Sequence, residues 1–297
     1  MSMLISEKDP KFSRIVAGCM NWGIHLSVEQ CRKLIEDCLS IGVTTFDHAD
    51  IYGHYTVEAL FGNAMKGASS IREQVQLITK CGIRLVTPNR PQNLIKSYKT
   101  TKTYIIESVE RSLKNLQTDY IDMLLIHRPS PLMNPSEIAE AFLLLKSEGK
   151  VLNFGVSNFT ATQFDMLNSY VHLQTNQIEI SPLQLSPFTD GRLDQCLLHK
   201  IKPMAYSVLG GGIFFDKRPT AQVMRINTVV NQLNKKYNTT SDQIVLAWVM
   251  KHPSGILPVM GSTKIHRIEA AVESMTIQLT DEEWFMIWQA SVGEEVA

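Results

Sequence analysis

Eight times along this chain a short apolar run gives way to a longer stretch, and these stretches carry helical patterns. That alternation constrains the fold more than any single motif. The runs are RIVAG (14–18), TTFDHAD (44–50), VQLITK (75–80), YIDMLLIH (120–127), NFGVSN (153–158), TNQIEI (175–180), PMAYSVL (203–209) and ILPVMG (256–261). After the first run, Val28, Cys31, Leu34, Ile35, Cys38 and Leu39 share one helix face. Ser27 and Gln30 have the spacing of a capping box, and Gly42 suits the stop. Asn134-Pro135 and Thr160–Gln163 open two further helices. Strands alternating with helices imply a parallel sheet with right-handed crossovers. Eight such units in about 260 residues fit an α/β protein of the (β/α)8 (TIM) barrel class. A doubly wound open sheet is the alternative and needs a reversal of strand order. Residues 220–238 and 240–252 predict two helices in the last crossover, and Thr280–Glu283 starts another after the eighth unit. These are extra helices near the C-terminus. No linker or composition break interrupts the chain, so residues 1–297 are expected to form one domain.

Charge and composition narrow the partners. Lys+Arg and Asp+Glu both number 29, so there is no basic field for nucleic acid or an anionic membrane. No apolar run reaches the roughly 18 residues of a membrane span. The first residues, MSMLISEKDPKFSR, lack the apolar stretch of a secretory signal. Five cysteines without CxxC spacing read as reduced thiols in or near the core of a cytoplasmic protein. Cys19 and Cys81, near strand ends, offer oxidant sensing as a secondary reading. A small-molecule substrate is the expected partner. A monomer is the default, since no apolar stripe demands a second chain.

The chemistry lies where the predicted strands stop. Asp47 and Tyr52 follow the second strand, Lys80 the third and His127 the fourth. In a parallel barrel these ends converge on one mouth. A phenol with an ordinary pKa near 10 is a reluctant proton donor, and a neighbouring ammonium lowers that value. Asp47 would hold Lys80 charged, and His127 would orient a carbonyl. Taken singly, an Asp–Lys pair reads as a salt bridge and a rim tyrosine as packing. Four such residues in order are harder to assign to chance. In the second half, Ser157, Asn158 and Gln177 offer groups suited to a carboxamide, although capping or core satisfaction would use them equally. Tyr206 offers a ring for stacking. Gly210, Gly211 and Gly212 let backbone N–H groups approach a pyrophosphate, or simply form a flexible loop. Gly261, Ser262, Thr263 and Lys264 lead into a helix whose start, with Arg267, suits a phosphate; the other reading is a solvated helix face. Neither GxGxxG nor GxxxxGK[ST] occurs, so a Rossmann site or P-loop is unsupported.

DHADIYGHYTVEALFG, LLIHRPSP, FGVSNF, TNQIEISP and SVLGGGIF together resemble the signature segments of the aldo-keto reductase superfamily, and among its members most resemble a group of bacterial oxidoreductases. The resemblance runs from RIVAGCMNWG to about residue 277. It implies one barrel, bound NADP(H), and reduction of a carbonyl substrate without metal. It implies Tyr52 as general acid, supported by Lys80 and by Asp47 (which also borders the cofactor), with His127 orienting the carbonyl. Ser157, Asn158 and Gln177 would hold the carboxamide, and Tyr206 would stack on the nicotinamide. Ser207, Leu209 and the three glycines would meet the pyrophosphate. Independently of the resemblance, Lys264 and Arg267 add positive charge after Gly261, Ser262 and Thr263 that suits a ribose 2′-phosphate. The chain departs from the family at His48, where Thr is common, at Gly261, where many members carry Lys, and at Ala270 and Ala271. Lys264 and Arg267 are expected to compensate. Two other functions compete: a slow-turnover NADP(H)-binding sensor or regulatory subunit, and a Schiff-base enzyme using Lys80. The second needs a depressed lysine pKa, which Asp47 opposes. Substrate-loop candidates are Asn21, Trp22, His54 and Pro129 to Leu132, with the segment 84–102 covering the site.

Overall fold

Side-chain parity along short strands decides what fills the middle of this protein. The structure, a computed structural model, describes residues 11–67, 69–215 and 218–296. Residues 1–10, on which the expectation of no secretory signal mostly rests, lie outside the described residues. The strands are β1 (Val16–Gly18), β2 (Thr45–Asp47), β3 (Gln76–Cys81), β4 (Ile83–Arg84), β5 (Ser97–Tyr98), β6 (Ile121–Ile126), β7 (Val151–Ser157), β8 (Asn176–Glu179), β9 (Met204–Tyr206) and β10 (Leu257–Met260). Eight of them close a barrel in the order β1-β10-β9-β8-β7-β6-β3-β2. The first and last strands pair in parallel through Val16 and Val259, which rules out the open sheet. β4 and β5 form a separate antiparallel ribbon within the long segment after β3, an element the sequence patterns did not predict.

Val16, Ile78, Met123, Leu125, Met204 and Val259 fill the barrel interior. Their neighbours in sequence, such as Leu77, Leu124 and Ala205, face outward and bury against the helices. Strands covered on both sides explain the near-continuous apolar runs.

The helices are α1 (Trp22–His25), α2 (Val28–Ser40), α3 (Val57–Met65), α4 (Ser69–Arg72), α5 (Lys102–Leu116), α6 (Pro135–Ser147), α7 (Ala161–Asn168), α8 (Arg192–Leu198), α9 (Ala221–Tyr237), α10 (Ser241–Met250), α11 (Ile265–Glu273) and α12 (Asp281–Val292). Their starts follow local chemistry. Ser27–Gln30, Thr160–Gln163, Thr240–Gln243 and Thr280–Glu283 each form a reciprocal capping box. Each such cap is worth about 1 kcal/mol. Asn134 caps α6 ahead of Pro135. The doubled helix of the last crossover is α9 and α10, and α12 closes the chain. Among the described residues no helix is long and apolar enough to cross a membrane.

Candidate active site

The parity that plugs the barrel with hydrocarbon also sets polar groups above the plug. Ile78 and Leu125 belong to the interior cluster, so Lys80 and His127, two residues later, point the same way at the mouth. Met204 precedes Tyr206 by the same step. Phe46 faces outward into the helix layer, which turns Asp47 inward.

Asp47 and Lys80 are 2% and 1% exposed, and an ion this deep persists only when paired. Lys80 Nζ donates to Asp47 Oδ1 and Oδ2, each at 2.7 Å, to the His48 carbonyl at 2.8 Å, and to the Tyr52 hydroxyl at 3.2 Å. Burial alone would pull this ammonium down. Asp47 and Tyr52 more than offset that, and it sits above its ordinary value. A lysine held charged is a poor Schiff-base nucleophile, which removes the ground for that reading. Tyr52 lies in the single turn Tyr52–His54 that follows β2, with its ring centroid 6.1 Å from that of His127, edge to face. Burial pushes its phenol up while Lys80 pulls it down, and the net is a rise. The expected lowering by the ammonium is therefore present but outweighed by desolvation. His127 is held well below its usual range by burial, then by Lys80, Arg128 and Lys96, so it is a neutral imidazole.

His48 points away from the mouth. It is fully buried with its ring 4.5 Å from Phe61, and burial with Lys80 lowers it to about 3. The departure at His48 is thus packing behind the site.

A cavity of about 1340 Å3 opens above these groups. Asp47, Tyr52 and His127 line one part of it, and Ser157, Asn158, Gln177 and Tyr206 line the adjoining wall. The polar groups of that wall form one chain. Tyr206 donates to Asn158 Oδ1 at 2.7 Å, and Asn158 Nδ2 donates to Ser157 Oγ at 2.7 Å. Ser157 Oγ donates to the Gln177 carbonyl at 2.9 Å, and Gln177 Nε2 donates to Asp47 Oδ1 at 2.9 Å. Asn158 and Ser207 have left-handed backbones, φ 62° and 52°. Such conformations cost energy and cluster at functional sites.

Ser207, Leu209, Gly211, Gly212, Gly261 and Ser262 continue the wall, with Arg267. Gly211 and Gly212 have φ +63° and +96°, and a Cβ on either would meet nothing within 4 Å. Their backbone therefore borders open space in a conformation that favours glycine. A second cavity of about 410 Å3 is lined by Thr263, Lys264 and Arg267 and shares Gly261 and Ser262. It meets the start of α11, where free N–H groups and two cations favour an anion. The donor set thus fits a nicotinamide dinucleotide: amides and a hydroxyl for a carboxamide, a ring for stacking, bare backbone for a pyrophosphate, and cations at a helix start for a further phosphate.

Several expected residues fall elsewhere. Gly210 is off the cavity wall; a Cβ there would meet Leu183 and Phe214. Trp22 is 0% exposed, packed on Phe46 and Phe61 at 6.0 Å, because an indole fills the gap between β2 and α3 better than it tolerates water. Pro129 to Leu132 turn away from the mouth: the Leu132 amide donates to Ser130 Oγ and the Met133 amide to the Ser130 carbonyl, leaving Leu132 in solvent. Asn21 and His54 do line the cavity, as do Leu85, Lys96 and Tyr98 from the covering segment. Met20, Ile24, Arg128 and Asp242 line it without having been expected there. Arg128 directly follows His127, which was the available signal. The thiols of Cys19 and Cys81 are buried and pushed well up by desolvation, which opposes thiolate chemistry.

The chain matches the model of the Aldo/keto reductase family over residues 14–291. It is 45% identical over 300 aligned residues to the oxidoreductase YdhF of Escherichia coli (strain K12), spanning 98% of each chain. It is 37% identical over 291 residues to a 6-dehydroglucose reductase of Agrobacterium fabrum, spanning 97% of each. An aldo/keto reductase of Klebsiella pneumoniae, solved in complex with NADP and acetate, superposes with a TM-score of 0.74 at 26% identity, covering 93% of this chain and 90% of that one.

Proposed function

The chain belongs to the aldo/keto reductase family, and from that premise we propose that it is an NADPH-dependent reductase of aldehydes or ketones in which Tyr52 donates the proton. The observation that carries the reading is the single buried ammonium shared by Asp47 and the Tyr52 hydroxyl on the cavity floor. NADPH, when bound along the cavity wall, would supply a hydride for the carbonyl carbon. The residues then have one remaining task, which is to manage the charge that develops on oxygen. His127, neutral, can donate a hydrogen bond to that oxygen without adding a full charge. Tyr52 is protonated at neutral pH, and its proton passes to the oxygen as negative charge grows there. Lys80 Nζ, at 3.2 Å, stabilises the phenolate left behind. Asp47 keeps the ammonium charged and in place. The product is the alcohol, with one proton taken from solvent to restore the phenol.

Ser157, Asn158 and Gln177 would hold the carboxamide and Tyr206 the nicotinamide face. Ser207, Leu209 and the backbone of Gly211 and Gly212 would meet the pyrophosphate. Ser262, Thr263, Lys264 and Arg267 would take a 2′-phosphate, which favours NADP over NAD. The neighbour bound to NADP and the relative named as a dehydroglucose reductase support this reading of cofactor and reaction. A fluorescence titration with NADPH and NADH, paired with turnover of a panel of reactive aldehydes, tests it. Tighter NADPH binding that weakens in Lys264→Ala and Arg267→Ala, together with turnover, is expected. Tight binding without oxidation of the bound NADPH by any aldehyde would instead favour a sensor.

A further inference from the structure

We propose that the substrate is an anionic carbonyl compound, with a carboxylate or phosphate held by Arg128 and Lys96 while its carbonyl faces Tyr52 and His127. This rests on the reductase reading given above. Both cations line the large cavity, and both act electrostatically on His127. Neither has a hydrogen bond or ion pair to another described residue. Several arginines elsewhere are tied down: Arg72 to Asp122, Arg192 to Asp190, and Arg225 to the Ala290 carbonyl. Arg128 is half-buried and Lys96 exposed. A half-buried guanidinium at a cavity wall, without a partner among the described residues, is an open two-pronged receptor for an oxyanion.

The cofactor's own phosphates do not account for these charges. In the ring of eight strands β6, which leads into His127 and Arg128, stands opposite β10, which leads into Gly261 and Lys264. The dinucleotide's anionic groups belong to that far side. Carboxylates do not cancel the two cations either. Asp47 is already paired with Lys80, and Asp242 belongs to the first turn of α10, which packs on β10. Met20, Ile24, Leu85 and Tyr98 add apolar wall to the cavity. Such surroundings strengthen a charge pair that displaces water.

Matched aldehydes compared by kcat/KM test the proposal: 4-oxobutanoate against butanal, and glyceraldehyde 3-phosphate against glyceraldehyde. The anionic member of at least one pair should be preferred by about ten- to a hundredfold, the value of a hydrogen bond to a charged group. Which pair shows the preference separates carboxylate from phosphate. The preference should fall towards one in Arg128→Gln, fall by less in Arg128→Lys, which keeps the charge but loses the fork, and fall about two- to fivefold in Lys96→Gln, where solvent screens the charge. It should also shrink as salt is added. A ratio near one in the natural protein, or one unmoved by Arg128→Gln, overturns the proposal. If no aldehyde of either pair is turned over, 4-hydroxybutanoate and butanol are titrated against the NADPH-loaded protein, and equal affinities overturn it. Failure of the underlying reading looks different: the anion preference survives while Tyr52→Phe still turns over.

Discussion

Replacing Lys80 with Met separates what the ammonium does for the fold from what it does for the phenol. The substitution removes two 2.7 Å contacts to Asp47, one at 2.8 Å to the His48 carbonyl and one at 3.2 Å to Tyr52. Asp47, 2% exposed, is left with Gln177 Nε2 at 2.9 Å as its side-chain donor. Removing one member of a buried pair costs about 3–5 kcal/mol. That is a large share of the roughly 5–15 kcal/mol that holds a domain folded. The double variant Asp47→Asn/Lys80→Met no longer buries a lone charge and should regain most of that loss. Turnover should not return with it. The phenolate that forms as Tyr52 gives up its proton has lost its donor, and one preorganised donor at a developing charge is worth about 10²–10³ in rate. Urea unfolding gives the stabilities, and single-turnover reduction with pre-bound NADPH gives the rates. If the double variant recovers turnover in step with stability, Lys80 acted only through the fold and the reasoning fails.

Two further outcomes follow from the geometry. His48 has a folded-state pKa near 3 against about 6.5 unfolded, so as pH falls the unfolded chain takes the proton. Its stability contribution is whole above about pH 6.5 and lost as pH drops towards 3, by about 2 kcal/mol at pH 5. Urea midpoints across that window should fall less steeply in His48→Met than in the natural protein, and parallel curves would contradict the assignment. In Gly62→Ala the new Cβ would lie 2.1 Å from the Asn115 carbonyl oxygen and 2.7 Å from Leu116 backbone, where α3 crosses the end of α5. A loss of about 1–3 kcal/mol is expected from that overpacking; an unchanged unfolding midpoint would show that the helices separate freely.

Much of this was written in the strand patterns. The eight apolar runs marked parallel strands buried on both faces, which a barrel and an open doubly wound sheet share; the pairing of Val16 with Val259 decided between them. Lys80 and His127 were legible as mouth residues, since each closes an apolar run and the carboxyl ends of parallel barrel strands converge. The β4–β5 ribbon was not legible, because two-residue strands carry no period. It depends on distant partners: Leu85 N–H donates to the Tyr55 hydroxyl, and Arg84 and Leu85 both bond Asn93. Trp22 was misplaced at the rim because only the fold reveals Phe46 and Phe61 as its neighbours. The sign of the Tyr52 shift was out of reach for a related reason. Sequence names the ammonium, but the burial that outweighs it belongs to the assembled mouth.

Tyr52→Phe deletes one hydroxyl and leaves the ring, so it isolates the proton donor. Single-turnover reduction by the variant, at saturating NADPH with cofactor affinity measured alongside, should be slower by at least about 10²–10⁴, with that affinity nearly unchanged. A variant that binds NADPH normally and still reduces the aldehyde within tenfold of the natural rate would show that the proton comes from elsewhere.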